Sequence, residues 1–454
     1  MKKIKQLKWL TFLLAICTVF YSCSDKLEEN DGQVAADDLD FTQTGDMVLP
    51  LIGAYAEVYS RGWEDPILVG VRGDDVNAGG VGDAQGGLTN ADLYNYDNNY
   101  WMFNQVWSNF YGDLVDIVNS GETIQRYKEF ATGSDIALAD QYIAETKVLS
   151  GFQHLQMSRL WSDIFIITTS NVSEDIDNGV DTKEEVMQYV SDLMDEAIPF
   201  LPDLRPNERT DVRGGVTKYT ALAIKAMANL ELENYQGVAD ATAEIIESDK
   251  FMLYDDYYEL FKEDGQLSNE NLFELQFSDY GQATGDVNNH LFAPFGPPNW
   301  TPVVSTAASG WGFYEPSLKY IKFMIDRGDE TRLVTSVCFT PRGMDELMLD
   351  PNYATLPSYI SNTTLDGDIF NDTTRFMFAS GKHYWPSNQL TPGRNSYGSG
   401  KNFLVIRYAE ILLMYAEALT HGASGSVLTA DQAVNLVRER ADMTPISGVT
   451  TDDV

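Results

Sequence analysis

The chain has 454 residues, 44% hydrophobic and 12% aromatic, enough to bury a sizeable core in one or two domains. Its 68 acidic against 31 basic residues leave a formal charge of −37, which speaks against nucleic acid or an anionic membrane surface as a partner, because each needs a basic footprint. This aromatic content also speaks against disorder.

Lys2, Lys3, Lys5 and Lys8 open the chain, and Trp9–Phe20 forms a twelve-residue apolar run. Such a run is too short to span ~30 Å of hydrocarbon as a helix. With the small Ser22 before a cut, residues 1–22 read as a signal peptide. Of three cysteines, Cys17 leaves with the signal and Cys338 stands far along the chain. A disulfide between Cys338 and Cys23, on a flexible tail, is not expected. Cys23 reads instead as the lipidated first residue of the mature chain, although Phe20 and Tyr21 stand where Leu or Val and then Ala or Ser are usual. Residues 23–45 are acidic and rich in small side chains, a tether.

From residue 46 the pattern becomes helical, with Leu51, Ala54, Tyr55 and Val58 on one face. A Gly- and Asp-rich loop follows at 72–87, then "YNYDNNYWMFNQVWSNFY" at 94–111, with eight aromatics in eighteen residues. Residues 135–161 are long and amphipathic. Thr182 with Glu185 predicts a capping box. Residues 215–248 predict two helices joined by a tight turn at Glu233–Asn234, with Ala221, Ala223, Ala226, Ala228, Ala239 and Ala243 allowing close approach, the helical-hairpin signature of tetratricopeptide-like units of ~34 residues. Residues 264–402 are rich in Gly, Pro, Asn, Ser and aromatics, with one clear helical stretch at 316–328. A loop-rich segment of that length is ordered by function or not ordered at all, and its tryptophans favour function. Helical pairing resumes at "NFLVIRYAEILLMYAEALTHG" and "TADQAVNLVRERA", where Arg407 and Glu410 are expected to form a partly buried ion pair. The expectation is a mainly α, single domain over 46–454. Its helical repeats fall at 46–70, 104–261 and 403–441, packed against a loop-rich half at 71–103 and 264–402.

No HExxH, GxSxG, GxxxxGK[ST] or CxxC motif occurs, and the four histidines are scattered; His154, on an amphipathic helix, reads as structural. "DGDIFND" (366–372) matches a calcium loop only loosely, so no cofactor is expected and calcium is the one ion left open.

Several blocks together resemble the SusD/RagB family of surface glycan-binding lipoproteins: "CSDKLEEN", "AETKVLSGFQHLQMSRLWSDIFII", "TKEEVMQYVSDLMDEAIPFLP", "GVTKYTALAIKAMANLELENY", "NENLFELQFS", "GWGFYEPSLKYIKFMIDRGDETRL" and "IRYAEILLMYAEAL…AVNLVRERA", in family order over essentially the whole chain. "WSDIFII" departs from the family's pattern. Members ordinarily continue beyond "GVTTDDV", so a C-terminal truncation is expected. The resemblance implies a tetratricopeptide-like α/α superhelix against an irregular half. It also implies a non-enzymatic, surface-exposed outer-membrane protein, lipid-anchored through Cys23, that captures oligosaccharide for a SusC-like TonB-dependent transporter.

Glycan binding calls for aromatic faces beside amide, carboxylate or guanidinium groups. The candidates are Trp101 and Asn104, just before a predicted helix; Trp311 and Tyr314, before the "EPSL" helix start; Trp300, after "GPPN"; and Asp74 and Asp75 in the early loop. Trp63, Trp161, Trp107, Tyr111 and Asn119 are expected in the core. Two alternatives stay open on the residues alone: a tetratricopeptide-like scaffold for peptide or protein ligands, and, less favoured, a surface glycoside hydrolase.

Overall fold

The computed structural model describes residues 39–59, 70–78, 86–95, 101–278, 295–297, 300–301, 310–372, 376–390 and 400–454. Cys23 and Trp63 lie outside the described residues. The described elements are thirteen α-helices and eight short strands. In chain order they are α1 (Val48–Tyr59), β1 (Val76–Ala78), α2 (Gly86–Asp92), α3 (Trp101–Lys128), α4 (Ser134–Trp161), α5 (Ser173–Asp177), α6 (Lys183–Ala197), α7 (Lys218–Glu231), α8 (Tyr235–Glu247), β2 (Asn271–Leu275), β3 (Trp300–Thr301), β4 (Tyr314–Pro316), α9 (Leu318–Arg327), α10 (Glu330–Ser336), β5 (Val337–Phe339), α11 (Pro341–Met348), β6 (Ile369–Phe370), β7 (Phe378–Ser380), β8 (Phe403–Arg407), α12 (Tyr408–Thr420) and α13 (Ala430–Arg440).

The helices form an array in which α1 packs on α3, α3 on α4, α4 on α6, α6 on α7 and α7 on α8. The array then continues across a long insertion, because α12 packs on α8 and α13 on α12. Local chemistry sets the joints. Thr182 Oγ1 accepts from Glu185 N, and Glu185 Oε2 accepts from Thr182 N at 2.8 Å, closing the predicted capping box. Glu233 turns the chain with φ 55° and Asn234 caps α8, accepting from Gly237 N. Ala221, Ala223, Ala226 and Ala228 are fully buried and Ala239 nearly so, which lets neighbouring backbones approach. Thr429 and Gln432 make a second capping box at α13. The fold is mainly α, as expected.

The insertion between α8 and α12 is held by antiparallel two-stranded ribbons: β2–β8, β3–β6 and β5–β7, with β4 reaching back to β1. Every residue of β2 is buried, since the ribbon lies against the helical core through Leu272, Phe273 and Leu275. Small separate cores, one around Phe370, Phe376, Tyr384 and Trp385 and one around Ile321, Leu333, Val337 and Phe378, stiffen the irregular half.

Two local expectations change. Arg407 is the last residue of β8, not a helix residue, and its guanidinium pairs at 2.7 Å with Glu270, not Glu410. Glu270 is fully buried and also holds Arg440 at 2.9 Å, so the helix stripe proposed for Arg407 gives way to a partner 137 residues away. Asn119, expected in the core, is exposed on α3, whereas Trp107 and Trp161 meet edge-to-face at 5.2 Å against the core.

Candidate functional site

The early Asp-rich loop and the segment leading into α9 are brought together by the β1–β4 ribbon, in the register Val76↔Pro316, Asn77↔Glu315 and Ala78↔Tyr314. Val76 and Ala78 point inward and Asn77 outward, the alternation a strand imposes. Ser317 fastens the two ends. Its side chain accepts from Tyr320 N as the cap of α9 and donates to the Asp74 carbonyl at 2.6 Å, while its N–H donates to the Asp75 carbonyl at 2.8 Å. The Asp74 carboxylate pairs with the Lys319 ammonium, both largely exposed, so this pair contributes little stability. Beside the ribbon lies a cleft of about 400 Å³ lined by Asp74, Asn77, Asp92, Glu315, Ser317 and Lys319, among others. Glu315 is buried and accepts from Met377 N at 2.7 Å and Phe378 N at 3.1 Å; burial nonetheless pushes its carboxyl up.

The sequence candidates therefore separate. Asp74, Asp75 and Tyr314 share the ribbon, and Trp311 stands three residues before Tyr314. Gly310 and Gly312 brace that approach by donating to the Pro297 and Gly296 carbonyls at 3.0 Å each. Only glycine fits at 310, because a Cβ there would come within 2.2 Å of Gly296 O. The Trp311 ring is half-buried, 5.5 Å from Phe313. The Tyr314 ring is packed edge-on against Phe295 at 5.2 Å and His383 at 5.6 Å, with Gly70 against its rim; burial pushes its hydroxyl up to about 12. Trp101 and Asn104 do not precede the helix. Both are exposed on the first turn of α3, whose buried stripe begins instead with Met102 and Val106. Trp300 lies in a different ribbon, in register with Phe370.

One aromatic in the 94–111 run escaped the sequence analysis. Tyr94 is 65% exposed, and its O–H donates to the Arg72 carbonyl at 2.8 Å, which ties it to the loop that carries Asp74 and Asp75. Its φ of 53° turns the chain out of α2, a conformation no periodicity signals. Trp101, at 50%, is the other strongly exposed ring of that run among the described residues.

The "DGDIFND" carboxylates are occupied by protein donors. Asp368 is fully buried and accepts from the Ser387 N–H at 2.9 Å, the Ser387 O–H at 2.6 Å and the Tyr384 O–H, and Asp366 accepts from the Tyr258 O–H. Among the described residues no group of three or more His, Cys, Asp or Glu is placed to hold a metal, and no helix is long and apolar enough to cross a membrane. Cys338 is a buried thiol that burial pushes up to about 12.

A sequence profile described as the SusD family matches residues 269–453, the segment that runs from β2 through α13. The SusD-like protein P2 of Formosa agariphila is 24% identical, and the alignment covers 97% of this chain and 82% of that protein. Residues 269–453 thus match the SusD family, and the chain as a whole is similar to a SusD-like protein. Solved structures share the fold of this chain. The surface glycan-binding protein A of Bacteroides thetaiotaomicron, in complex with laminarihexaose, superposes with a TM-score of 0.68 at 20% identity, over 89% of this chain and 84% of that one. A SusD homolog of the same organism reaches a TM-score of 0.71 at 17% identity, over 93% and 84%.

Proposed function

We propose that this chain binds oligosaccharide at the cell surface without cleaving it and delivers it to a SusC-like TonB-dependent transporter, anchored in the outer membrane by lipid on Cys23. The observation that carries the binding reading is the exposure of Tyr94 and Trp101 in one aromatic-rich run, with Tyr94 tied to the loop that lines a polar cleft. A pyranose offers apolar C–H faces to such rings and hydroxyls to such carboxylate, amide and ammonium groups. The complex of a fold relative with laminarihexaose supports the same class of ligand. Trp101, Asn104, Tyr94 and Trp311 then contact sugar, Asp74 and Asp75 shape the cleft rim, and Tyr314 holds the ribbon in place. Binding needs no metal on this reading, since Asp366 and Asp368 already have donors.

Native electrophoresis in gels containing single polysaccharides tests the proposal. At least one neutral or acidic glycan retards the protein, and the Tyr94→Ala/Trp101→Ala variant migrates freely. Retention of a peptide or protein ligand, with no glycan retarding the chain, would favour a scaffold instead.

A further inference from the structure

A second cleft, of about 310 Å³, opens between the end of β7 and β8, and its chemistry differs from that of the first. Its lining includes Lys382, His383, Lys401, Arg407, Phe261 and Glu410. In a chain with more than two acids per base, cations are concentrated here. Arg407 and Arg440 share one carboxylate, Glu270. Lys382, half-buried, has its ammonium 4.9 Å from the Phe261 ring centre and 5.7 Å from that of Tyr257, and no described carboxylate lies within ion-pair distance of it. Behind it, Lys262 is 1% exposed and donates only to carbonyls, those of Gly381 and Tyr384, at 3.2 Å each. Lys401, 7% exposed, donates to the Lys382 carbonyl. Asn402, also in the lining, donates to Glu274 at 2.9 Å and to Gln276 Oε1 at 3.5 Å, and the Nε2 of that Gln276 is buried without an acceptor.

Removing ammonium groups from water costs several kcal/mol per ion unless an anion compensates them. Burial lowers Lys262 to about 8, and burial together with the three lysines holds His383 at about 3 and therefore neutral. Glu410 is the one carboxylate in the cleft's lining, and Glu270 is already shared by Arg407 and Arg440, so the cations outnumber the carboxylates there. The cleft's His383 ring packs 5.6 Å from Tyr314 of the β1–β4 ribbon.

We propose that this cleft receives the anionic substituent of an acidic oligosaccharide, a carboxylate or a sulfate ester, with Lys382 as its principal contact and Arg407 and Asn402 beside it. The inference rests on the glycan-binding reading and narrows it to charged sugars. Calorimetry with an oligogalacturonide, a sulfated galactan oligosaccharide and an uncharged galactan oligosaccharide tests it, in wild type and in Lys382→Gln and Lys382→Arg. At least one acidic ligand binds more tightly than the uncharged one. Lys382→Gln weakens that ligand about tenfold, the size of one charge-assisted hydrogen bond, and Lys382→Arg retains it. The affinity of any uncharged ligand stays the same across the variants, which also reports that they fold. The arm that responds identifies carboxylate or sulfate as the group recognised. Binding of uncharged sugar alone, or acidic binding indifferent to Lys382→Gln, overturns the inference and leaves the glycan reading standing. Should no sugar bind, inorganic sulfate decides: stabilisation of wild type over Lys382→Gln beyond a chloride control keeps the anion site while the glycan reading falls, and equal stabilisation overturns both.

Discussion

Replacing Arg209 with methionine removes the cation from the most completely buried ion pair in the helical half. The Arg209 side chain is 1% exposed and Glu145 is fully buried; Nη2 lies 2.7 Å from Glu145 and 2.8 Å from Asp211. Nη1 donates to the Val216 carbonyl at 2.8 Å. Glu145 also accepts from the Tyr55 O–H at 2.6 Å and from Gln141 at 2.9 Å, and Tyr55 in turn accepts from Val216 N, so α1, α4 and the lead into α7 meet at one network. Burial pushes the Glu145 carboxyl up, and Arg209 opposes it most strongly, with the Tyr55 and Gln141 hydrogen bonds beside it. Without the guanidinium, Glu145 must stay charged in an apolar site or take up a proton, and removing one partner of such a pair costs about 3–5 kcal/mol. Urea unfolding followed by far-UV circular dichroism at pH 7 reads the loss. Arg209→Met/Glu145→Leu, which removes both charges, recovers most of it. A loss below about 1 kcal/mol in Arg209→Met would refute the reasoning, since it would mean that Glu145 is solvated.

His154 should make the protein acid-sensitive. Its Nδ1–H donates to the Ser150 carbonyl at 2.8 Å and its Nε2 accepts from Ile167 N at 3.0 Å, which leaves no place for a second proton; burial lowers the ring to about 4. Because the folded value lies below the ordinary 6.5, the stabilisation is complete above pH 6.5 and falls by about 3 kcal/mol as pH drops towards 4. His154→Gln starts less stable but loses less over that interval, and parallel pH profiles would contradict the assignment. Trp101→Ala weakens oligosaccharide binding at least about fivefold, the loss of one stacking face, with an unchanged unfolding midpoint; equal affinity by calorimetry would remove Trp101 from the site. EDTA leaves affinity unchanged, because the Asp366 and Asp368 carboxylates are taken by protein hydroxyls. A chelator-dependent loss restored by calcium would point to a metal there.

The helical array was legible because its signals are local. The Thr182–Glu185 box, the Glu233–Asn234 turn and the alanine faces of α7 and α8 each lie within a few residues of sequence and need no distant partner. The ribbons were not legible. Strands of two to five residues carry too little alternation to read, and β1 finds β4 more than two hundred residues away. Arg407 shows the cost: placed on a helix stripe by periodicity, it sits at the end of a strand, in register with Asn271 and ion-paired with Glu270. Among the site residues, the pairing of the Asp74–Asp75 loop with Tyr314 follows from topology, not spacing. Tyr94 was hidden because exposure after a positive-φ turn has no periodic signature, and the lysine-rich cleft because Lys262, Lys382 and Lys401 are scattered through an acidic chain.

Calorimetric titration of soluble oligosaccharides into the protein, with reducing ends assayed on the same samples, tests the central claim most directly. Saturable binding of at least one glycan with no increase in reducing ends is the predicted result. Release of reducing ends in proportion to protein concentration would contradict it.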